Sequence, residues 1–197
     1  MPRRSTALLL TAGLAGAVML LPSLFRKRRT TRAEDDELYA DLETPDWAPP
    51  AWAFPVAWTA STVALAAAGA HLLLRPGHRR RTELLTYLAI HTALYATFSR
   101  VYFDERSPVL AAGWTVADFL VCHLAFYRAV GVNGKVAGGF VPVNLWLTIA
   151  APLSLYQAAA NRDPRYGDLG VEVGEVVAGA LGLNPIGRDA SKLPARP

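Results

Sequence analysis

The chain has 197 residues, of which 52% are hydrophobic and only 18% are charged, and its mean hydropathy is +0.22. This composition is too apolar for an ordinary soluble domain and indicates membrane-spanning segments. The formal charge of +4 does not indicate a nucleic-acid partner, because the basic residues stand in short runs (26–29 and 75–81) that flank apolar stretches and would set membrane topology.

Five apolar runs follow one another along the chain, and each is about twenty residues long, enough to cross a bilayer as a helix. Backbone groups in lipid must be paired within the protein, so these runs are expected to be helices rather than strands of an open sheet. The predicted spans are 7–25, 54–74, 84–103, 109–130 and 140–160. The sequence therefore predicts an all-α membrane protein, a bundle of five transmembrane helices. Residues 1–163 would form the membrane domain and residues 164–197 a flexible tail, in which only Val171–Gly182 has the pattern of a short surface helix.

The first run could instead be a secretory signal peptide, because Arg3 and Arg4 precede it. Its apolar region is long for a signal peptide, and the basic cluster behind it is typical of a stop-transfer sequence, so we predict a retained helix. Two stretches of small residues, Thr11–Ala17 and Ala64–Ala70, are predicted to let helices approach closely.

Between the first two runs lies the stretch PDWAPPAWAFPVAWTA, which begins at Pro45. Pro49 and Pro50 exclude a helix through that point. The tryptophans could form an aromatic belt at the membrane interface, where indole rings are enriched. A belt does not require two prolines between two tryptophans, so we favour a rigid loop that covers the mouth of the bundle and offers flat rings to a flat ligand.

The pattern W-x-P-P-x-W-x-F-P-x-x-W-T, from Trp47 to Thr59, resembles the TspO/MBR family of tryptophan-rich sensory proteins and mitochondrial translocator proteins. That family has five membrane helices with this loop between the first and the second, and the resemblance covers about residues 7–163. Partial matches to family patterns in the last three spans fall on Tyr95, Phe98, Ser99, Tyr102, Phe103, Asp118, Pro142, Trp146 and Ala150.

Independently of this resemblance, polar and aromatic residues recur at helical spacing on the second, third and fifth spans. In lipid such stripes belong in the bundle interior or in a cavity, although they could also serve only as hydrogen-bonding contacts between helices. Under a loop rich in tryptophan and proline they predict an amphipathic pocket. The stripes are Trp58, Thr62, Leu65 or Ala66, and Gly69; His91, Tyr95, Phe98 or Ser99, and Tyr102; and Trp146, Ala150, Ser154, Gln157 and Asn161.

Asp118 lies in the middle of the fourth span, where a carboxylate costs about 2.5–3.5 kcal/mol to insert. It should therefore have a partner, and both a structural hydrogen bond and a proton or ligand contact remain open. His91 and His123 lie on different spans without a carboxylate at ligand spacing, so we expect no metal site. Cys122, one turn after Asp118, is expected to be a small buried side chain.

The resemblance implies a protein that binds tetrapyrroles, such as protoporphyrin IX or haem, in transport, sensing or disposal, with no required cofactor. Two alternatives remain open: a membrane enzyme that degrades porphyrin, which we rank lower because no nucleophile–base pair or cofactor motif is visible, and a structural subunit without ligand. The predicted ligand-binding residues are Trp47, Pro49, Pro50, Trp52, Phe54, Trp58, His91, Tyr95, Phe98, Ser99, Tyr102, Asp118, Trp146 and Ser154.

The lipid bilayer is the principal predicted partner, and we expect a multi-pass protein of a bacterial or archaeal cell membrane. Leu153–Arg162 fits a loose pattern proposed for cholesterol, but that pattern matches many helices by chance, so it leaves a sterol or lipid ligand open without predicting one. The resemblance also leaves a homodimer open.

Overall fold

The computed structural model describes residues 4–27 and 31–182, apart from the side chain of Arg32. The elements over these residues are helical. They are α1 (Arg4–Phe25), α2 (Arg32–Asp41), α3 (Ala53–Leu73), α4 (Arg81–Ser99), α5 (Pro108–Val130), α6 (Gly134–Ala160) and α7 (Leu169–Ala180), and a π-helical turn, Arg100–Asp104, continues α4.

Four of these helices, α1, α3, α5 and α6, are long and apolar enough to cross a membrane. They correspond to four of the five predicted spans, and the all-helical membrane fold is confirmed to that extent. The third predicted span, 84–103, falls on α4 and the π turn. Glu83, His91 and four threonines make α4 less apolar, so its crossing of the membrane, and with it the count of five spans, stays a prediction.

Helix α6 is the centre of the bundle, with α3 and α5 packed along it, while α1 lies outside against α3 and α4. The core between these helices consists of buried aliphatic and small residues. They are Leu65, Ala68, Leu72, Leu84, Cys122, Ala125, Ala129, Val136, Ala137, Phe140, Val143 and Leu147. Four leucines of α1, Leu8, Leu9, Leu20 and Leu24, are exposed, as expected for side chains that face lipid rather than water.

Helix α6 begins at Gly134 rather than at Phe140, where the predicted span started. The side-chain oxygen of Asn133 accepts hydrogen bonds from the backbone N–H groups of Lys135 (2.9 Å) and Val136 (3.2 Å), which caps the helix there. The glycines in this first part of α6 obscured the helix in the sequence, because glycine has low intrinsic helix propensity.

One of these glycines brings α6 into direct contact with α3. A β-carbon placed on Gly139 would lie 2.6 Å from the Ala68 Cβ and 2.8 Å from the Ala64 carbonyl oxygen. The prediction that the small residues of Ala64–Ala70 permit a close helix approach is therefore confirmed.

The segment assigned to a flexible tail differs in its first part from that prediction. The expected surface helix is present as α7, and it packs on α6 with Val171 and Ala178 buried. It can do so because Gly170 and Gly174 lie directly against Ala158 and Ala159 of α6, with no room for a β-carbon. Residues 183–197 lie outside the described residues.

A buried carboxylate, Asp163, organises the turn between α6 and α7. Its Oδ2 accepts hydrogen bonds from the Ser107 hydroxyl (2.6 Å) and the Val109 N–H (3.0 Å) at the start of α5. Its Oδ1 accepts from the N–H groups of Arg165 (2.8 Å) and Tyr166 (3.0 Å). Burial raises the pKa of Asp163, but these four hydrogen bonds lower it more, so the net shift is downward.

Candidate ligand-binding site

A cavity of about 510 Å³ lies among α1, α2, α3, α4, α5 and α6. Its wall is mostly aromatic and apolar, with a few hydroxyl, amide and carboxylate groups. The lining residues are Met19, Pro22, Asp35, Asp36, Tyr39, Ala51, Phe54, Pro55, Trp58, Thr59, Tyr95, Phe98, Ser99, Tyr102, Phe103, Thr115, Trp146, Ala150, Leu153, Ser154 and Gln157. This volume and composition are those of a small-molecule site.

The aromatic side chains of this wall contact one another in a continuous series. The ring centroids lie 5.0 Å apart for Tyr39 and Phe54, and 5.1 Å apart for Phe54 and Trp146, both pairs meeting edge to face. Trp58 lies 6.3 Å from Trp146 and 5.2 Å from Tyr95. Phe54 and Trp58 face the cavity together because residues four apart share one face of α3. Rings that hold one another in this way give a wall whose shape exists before any ligand binds.

Two tryptophans of the loop do not reach the cavity, which corrects their predicted place above the ligand. The exposed fraction is 54% for Trp47 and 63% for Trp52. Trp52 precedes Phe54 by two residues, so at the start of α3 its side chain leaves the helix about 200° away from the inward face. The loop therefore contributes to the wall through Phe54 and Trp58 and not through the rings that flank its prolines.

The prolines themselves brace the loop from outside the cavity wall. The Pro49 carbonyl oxygen accepts a hydrogen bond from the Tyr39 hydroxyl (2.9 Å), and Pro50 is exposed. Burial raises the pKa of Tyr39, so this hydroxyl stays protonated and able to donate. Pro49 and Pro50 were predicted to bind the ligand, but neither lines the cavity. They position the residues that do.

The side of the cavity formed by α2 was missed in the sequence analysis. Asp35, Asp36 and Tyr39 of this helix belong to the cavity wall. The sequence did carry a signal for it, the capping box Thr31–Glu34, in which each residue bonds the backbone N–H of the other at 3.3 Å and 2.6 Å. Hydropathy does not reveal a short polar helix in a loop between apolar runs.

Arg26, just after α1, fastens α2 over the cavity. Its guanidinium donates to both carboxylate oxygens of Asp35, at 2.8 Å and 2.9 Å, and lies 4.7 Å from the ring centroid of Phe103. Asp104 of the π turn is 3.9 Å away. The hydrogen bond with Asp35 raises the pKa of Arg26 despite the opposing effect of burial. These contacts join α1, α2 and the π turn on one side of the cavity.

The stripe predicted on the fifth span lies on α6, and most of it forms cavity wall. Its lining members are Trp146, Ala150, Ser154 and Gln157. Asn161, the last member, instead holds the loop: its Oδ1 accepts from the Glu43 N–H (2.8 Å), and its Nδ2 donates to the Glu43 carbonyl oxygen (3.0 Å).

The stripe on α4 ends in the π turn, which brings an extra aromatic residue to the cavity. Phe98 and Tyr102 stack with ring centroids 5.5 Å apart, Tyr102 accepts a hydrogen bond from Gln157 Nε2 (3.4 Å), and Phe103 also lines the wall. A π turn inserts an extra residue relative to regular helix, which is how neighbouring positions reach the same wall. The stripe on α3 behaves differently: beyond Trp58 its members are buried between helices and outside the wall.

Two further predicted ligand-binding residues, His91 and Asp118, lie outside the cavity wall and contact each other. His91 Nδ1 is 2.8 Å from Asp118 Oδ1, and Cys122 Sγ lies 3.4 Å and 3.5 Å from these two atoms. The premise that His91 has no carboxylate nearby is wrong, because the packing of α4 against α5 places Asp118 beside it. His123 points elsewhere and bonds the Phe119 carbonyl oxygen of its own helix (2.9 Å).

Of the predicted ligand-binding residues, the structure brings eight into one wall: Phe54, Trp58, Tyr95, Phe98, Ser99, Tyr102, Trp146 and Ser154.

Comparison with known proteins finds one family and two relatives that the chain resembles. The sequence model of the TspO/MBR family matches residues 7–159. Protein CrtK of Rhodobacter capsulatus is 29% identical over 126 residues, which cover 59% of this chain and 73% of that protein. A tryptophan-rich sensory protein of Cereibacter sphaeroides is 25% identical over 126 residues, which cover 64% of this chain and 78% of that protein.

Proposed function

The chain belongs to the TspO/MBR family and is a multi-pass membrane protein, and from this premise we propose that it binds tetrapyrroles, such as protoporphyrin IX or haem, in the cavity under α2. Binding there would serve the transport, sensing or disposal of these pigments in a bacterial membrane. The observation that carries the proposal is the pre-formed wall of aromatic rings on α3, α4 and α6.

The shape and chemistry of the cavity suit a flat, mostly apolar macrocycle. Trp58 packs against both Tyr95 and Trp146, so these rings lose little conformational freedom when a ligand stacks against them. A cavity of about 510 Å³ lies within the roughly 300–1,000 Å³ typical of small-molecule sites. Hydroxyl and amide groups such as Ser154 and Gln157 would meet the polar pyrrole nitrogens.

The charges of the wall indicate how such a ligand would be oriented. The described residues of the wall include two carboxylates, Asp36 and the Asp35 that pairs with Arg26, but no lysine or arginine that would pair with the two propionates of a porphyrin. The apolar edge of the macrocycle would therefore enter between α3 and α6, and the propionates would remain outside the cavity. Solvent at the protein surface would solvate them there.

A titration with protoporphyrin IX, followed by the absorbance of the pigment, tests this proposal. Trp58→Ala is expected to weaken binding by ~1–3 kcal/mol, the scale of stacking on one aromatic ring, or about 5- to 150-fold. Trp52→Ala is the matched control, because this tryptophan belongs to the same loop but is exposed and outside the wall. Equal affinities of the wild type and Trp58→Ala would contradict the proposed site.

We also propose that the protein binds the pigment without converting it. The described residues that line the cavity include serine, threonine and aspartate but no histidine, cysteine or lysine, and the Ser154 and Thr115 hydroxyls donate to backbone carbonyl oxygens of their own helices (2.9 Å and 2.8 Å) rather than to a base. The absorbance spectrum of the bound porphyrin is expected to stay constant in the dark and under illumination. A steady loss of absorbance that requires folded protein would instead support the degrading enzyme.

A further inference from the structure

One helical turn beyond the cavity residue Tyr95, three buried side chains with metal-ligating atoms converge between α4 and α5. His91, Asp118 and Cys122 have exposed fractions of 4%, 4% and 0%, and their ligating atoms all lie within 4.8 Å of one another. We propose that this triad binds one divalent transition-metal ion, Zn²⁺ by the character of its donors. This inference is independent of what occupies the aromatic cavity.

The distances between the three donors are close to those of a tetrahedral zinc site. Zinc bonds of about 2.0–2.1 Å to nitrogen or oxygen and about 2.3 Å to sulfur place tetrahedral donors about 3.4 Å apart for nitrogen and oxygen, and about 3.6 Å apart when one is sulfur. The two sulfur distances are 3.4 Å to His91 Nδ1 and 3.5 Å to Asp118 Oδ1. Only the His91–Asp118 distance, 2.8 Å, must widen by about half an ångström, which a small rotation of the imidazole supplies.

The charges of the triad also balance those of a divalent ion. A metal is bound by thiolate, carboxylate and neutral imidazole, so Cys122 and Asp118 together contribute two negative charges and His91 none. With Zn²⁺ the site is neutral as a whole. Neutrality matters here because an unbalanced charge between membrane helices is costly, as each of these acids would be if it were ionised alone.

The donor set selects the class of metal. Mixed nitrogen, sulfur and oxygen ligands suit zinc and its neighbours, whereas Mg²⁺ and Ca²⁺ require oxygen ligands in larger number. A fourth position remains for a water or for another protein oxygen. Asn144 of α6 contacts the backbone of one ligand: its Nδ2 donates to the Cys122 carbonyl oxygen (3.3 Å), and its buried Oδ1 has no hydrogen-bond partner among the described residues.

The competing account is a hydrogen-bond network that only joins α4 to α5. Such a network needs the His91–Asp118 pair and gives Cys122 no essential part. Metal binding makes Cys122 a ligand equal to the other two, and this difference can be measured directly.

The experiment is a titration of the full-length protein, purified in detergent without a histidine tag and treated with chelator, using Co²⁺ as the spectroscopic probe for Zn²⁺. We expect one Co²⁺ per chain, an absorption band from thiolate-to-cobalt charge transfer, and displacement of Co²⁺ by an equivalent of Zn²⁺ but not by Mg²⁺. Cys122→Ser, His91→Gln and Asp118→Asn should each weaken binding by more than the 10- to 100-fold that loss of an outer hydrogen-bond partner costs a metal site.

His123→Gln is the matched control, because this histidine lies on the same helix as Cys122 but bonds only its own backbone, and it should bind Co²⁺ as the wild type does. The wild-type spectrum reports thiolate ligation even if a variant fails to fold. Absence of the charge-transfer band from the wild type, or an affinity of folded Cys122→Ser equal to that of the wild type, would overturn the metal site and leave the hydrogen-bond network.

Discussion

Replacing Gly139 by alanine is expected to destabilise the bundle, whereas the same change at the neighbouring Gly138 is not. At position 139 the added β-carbon would lie 2.6 Å from the Ala68 Cβ and 2.8 Å from the Ala64 carbonyl oxygen. Carbon atoms pack at about 3.5–4.0 Å, so α3 and α6 would have to separate by about 1 Å. Overpacking of this kind costs ~1–3 kcal/mol.

Gly138 provides the control within the same helix turn. A β-carbon there meets no atom within 4 Å, so alanine should be neutral or should stabilise α6 by up to ~1 kcal/mol through its higher helix propensity. The two single variants are therefore expected to differ by ~1–4 kcal/mol, although they make the same chemical change one residue apart.

Thermal unfolding of the purified variants in detergent measures this difference. For a chain of this size about 1 kcal/mol shifts Tm by about 2–4 °C, so Gly139→Ala should lower Tm by ~2–12 °C and Gly138→Ala should not lower it. Because α3 carries Phe54 and Trp58 and α6 carries Trp146, the same separation should also weaken porphyrin binding. Equal Tm values for the two variants would refute the close contact of α3 with α6.

Three other predictions follow from the charges and the topology. Asp163→Asn should lower stability by ~1–3 kcal/mol at neutral pH, because the amide keeps only one acceptor oxygen and its NH2 group would face two of the four donors that bond the carboxylate; since the pKa of Asp163 is lowered by folding, this difference should shrink below about pH 4 in pH-dependent unfolding. Protoporphyrin IX and its uncharged dimethyl ester should bind with similar affinities in parallel titrations, because none of the described residues that line the cavity is a lysine or arginine that would pair with a propionate. Reporter fusions at residues 5 and 165 should lie on opposite faces of the membrane if α4 crosses it together with the four apolar helices, and a same-side result would contradict five spans.

The helical membrane fold could be predicted from the sequence because lipid leaves few alternatives. Long apolar runs mark α1, α3 and α5 to within a few residues. The start of α6 was missed because its capping residue, Asn133, acts through hydrogen bonds that hydropathy does not report. Helix α4 differs from α6, because it was predicted to span the membrane on the basis of its length. Its threonines and His91 reduce its hydropathy.

The cavity wall was predictable where helical spacing decides which side chains share a face. Phe54 and Trp58 are four residues apart, as are Trp146 and Ala150, and all four line the wall. Trp52 differs from this rule's expectation for the loop, because the pattern groups it with Phe54 and Trp58 while the start of α3 turns its ring to the outside.

Contacts that depend on how helices pack against one another could not be predicted from residue spacing. The pairing of Asp35 with Arg26 depends on how α2 folds back over the bundle, and the convergence of His91 with Cys122 depends on the register of α4 against α5.

The central claim, that the ligand occupies the aromatic cavity, is tested most directly by filling that cavity. Ala150 lines the wall, whereas the adjacent Ile149 is exposed on the outer face of α6. Protoporphyrin IX titrations of Ala150→Phe and Ile149→Phe therefore compare the same new ring inside and outside the site. We expect Ala150→Phe to bind at least about 10-fold more weakly than the wild type and Ile149→Phe to bind equally well; undiminished affinity of folded Ala150→Phe would contradict the account.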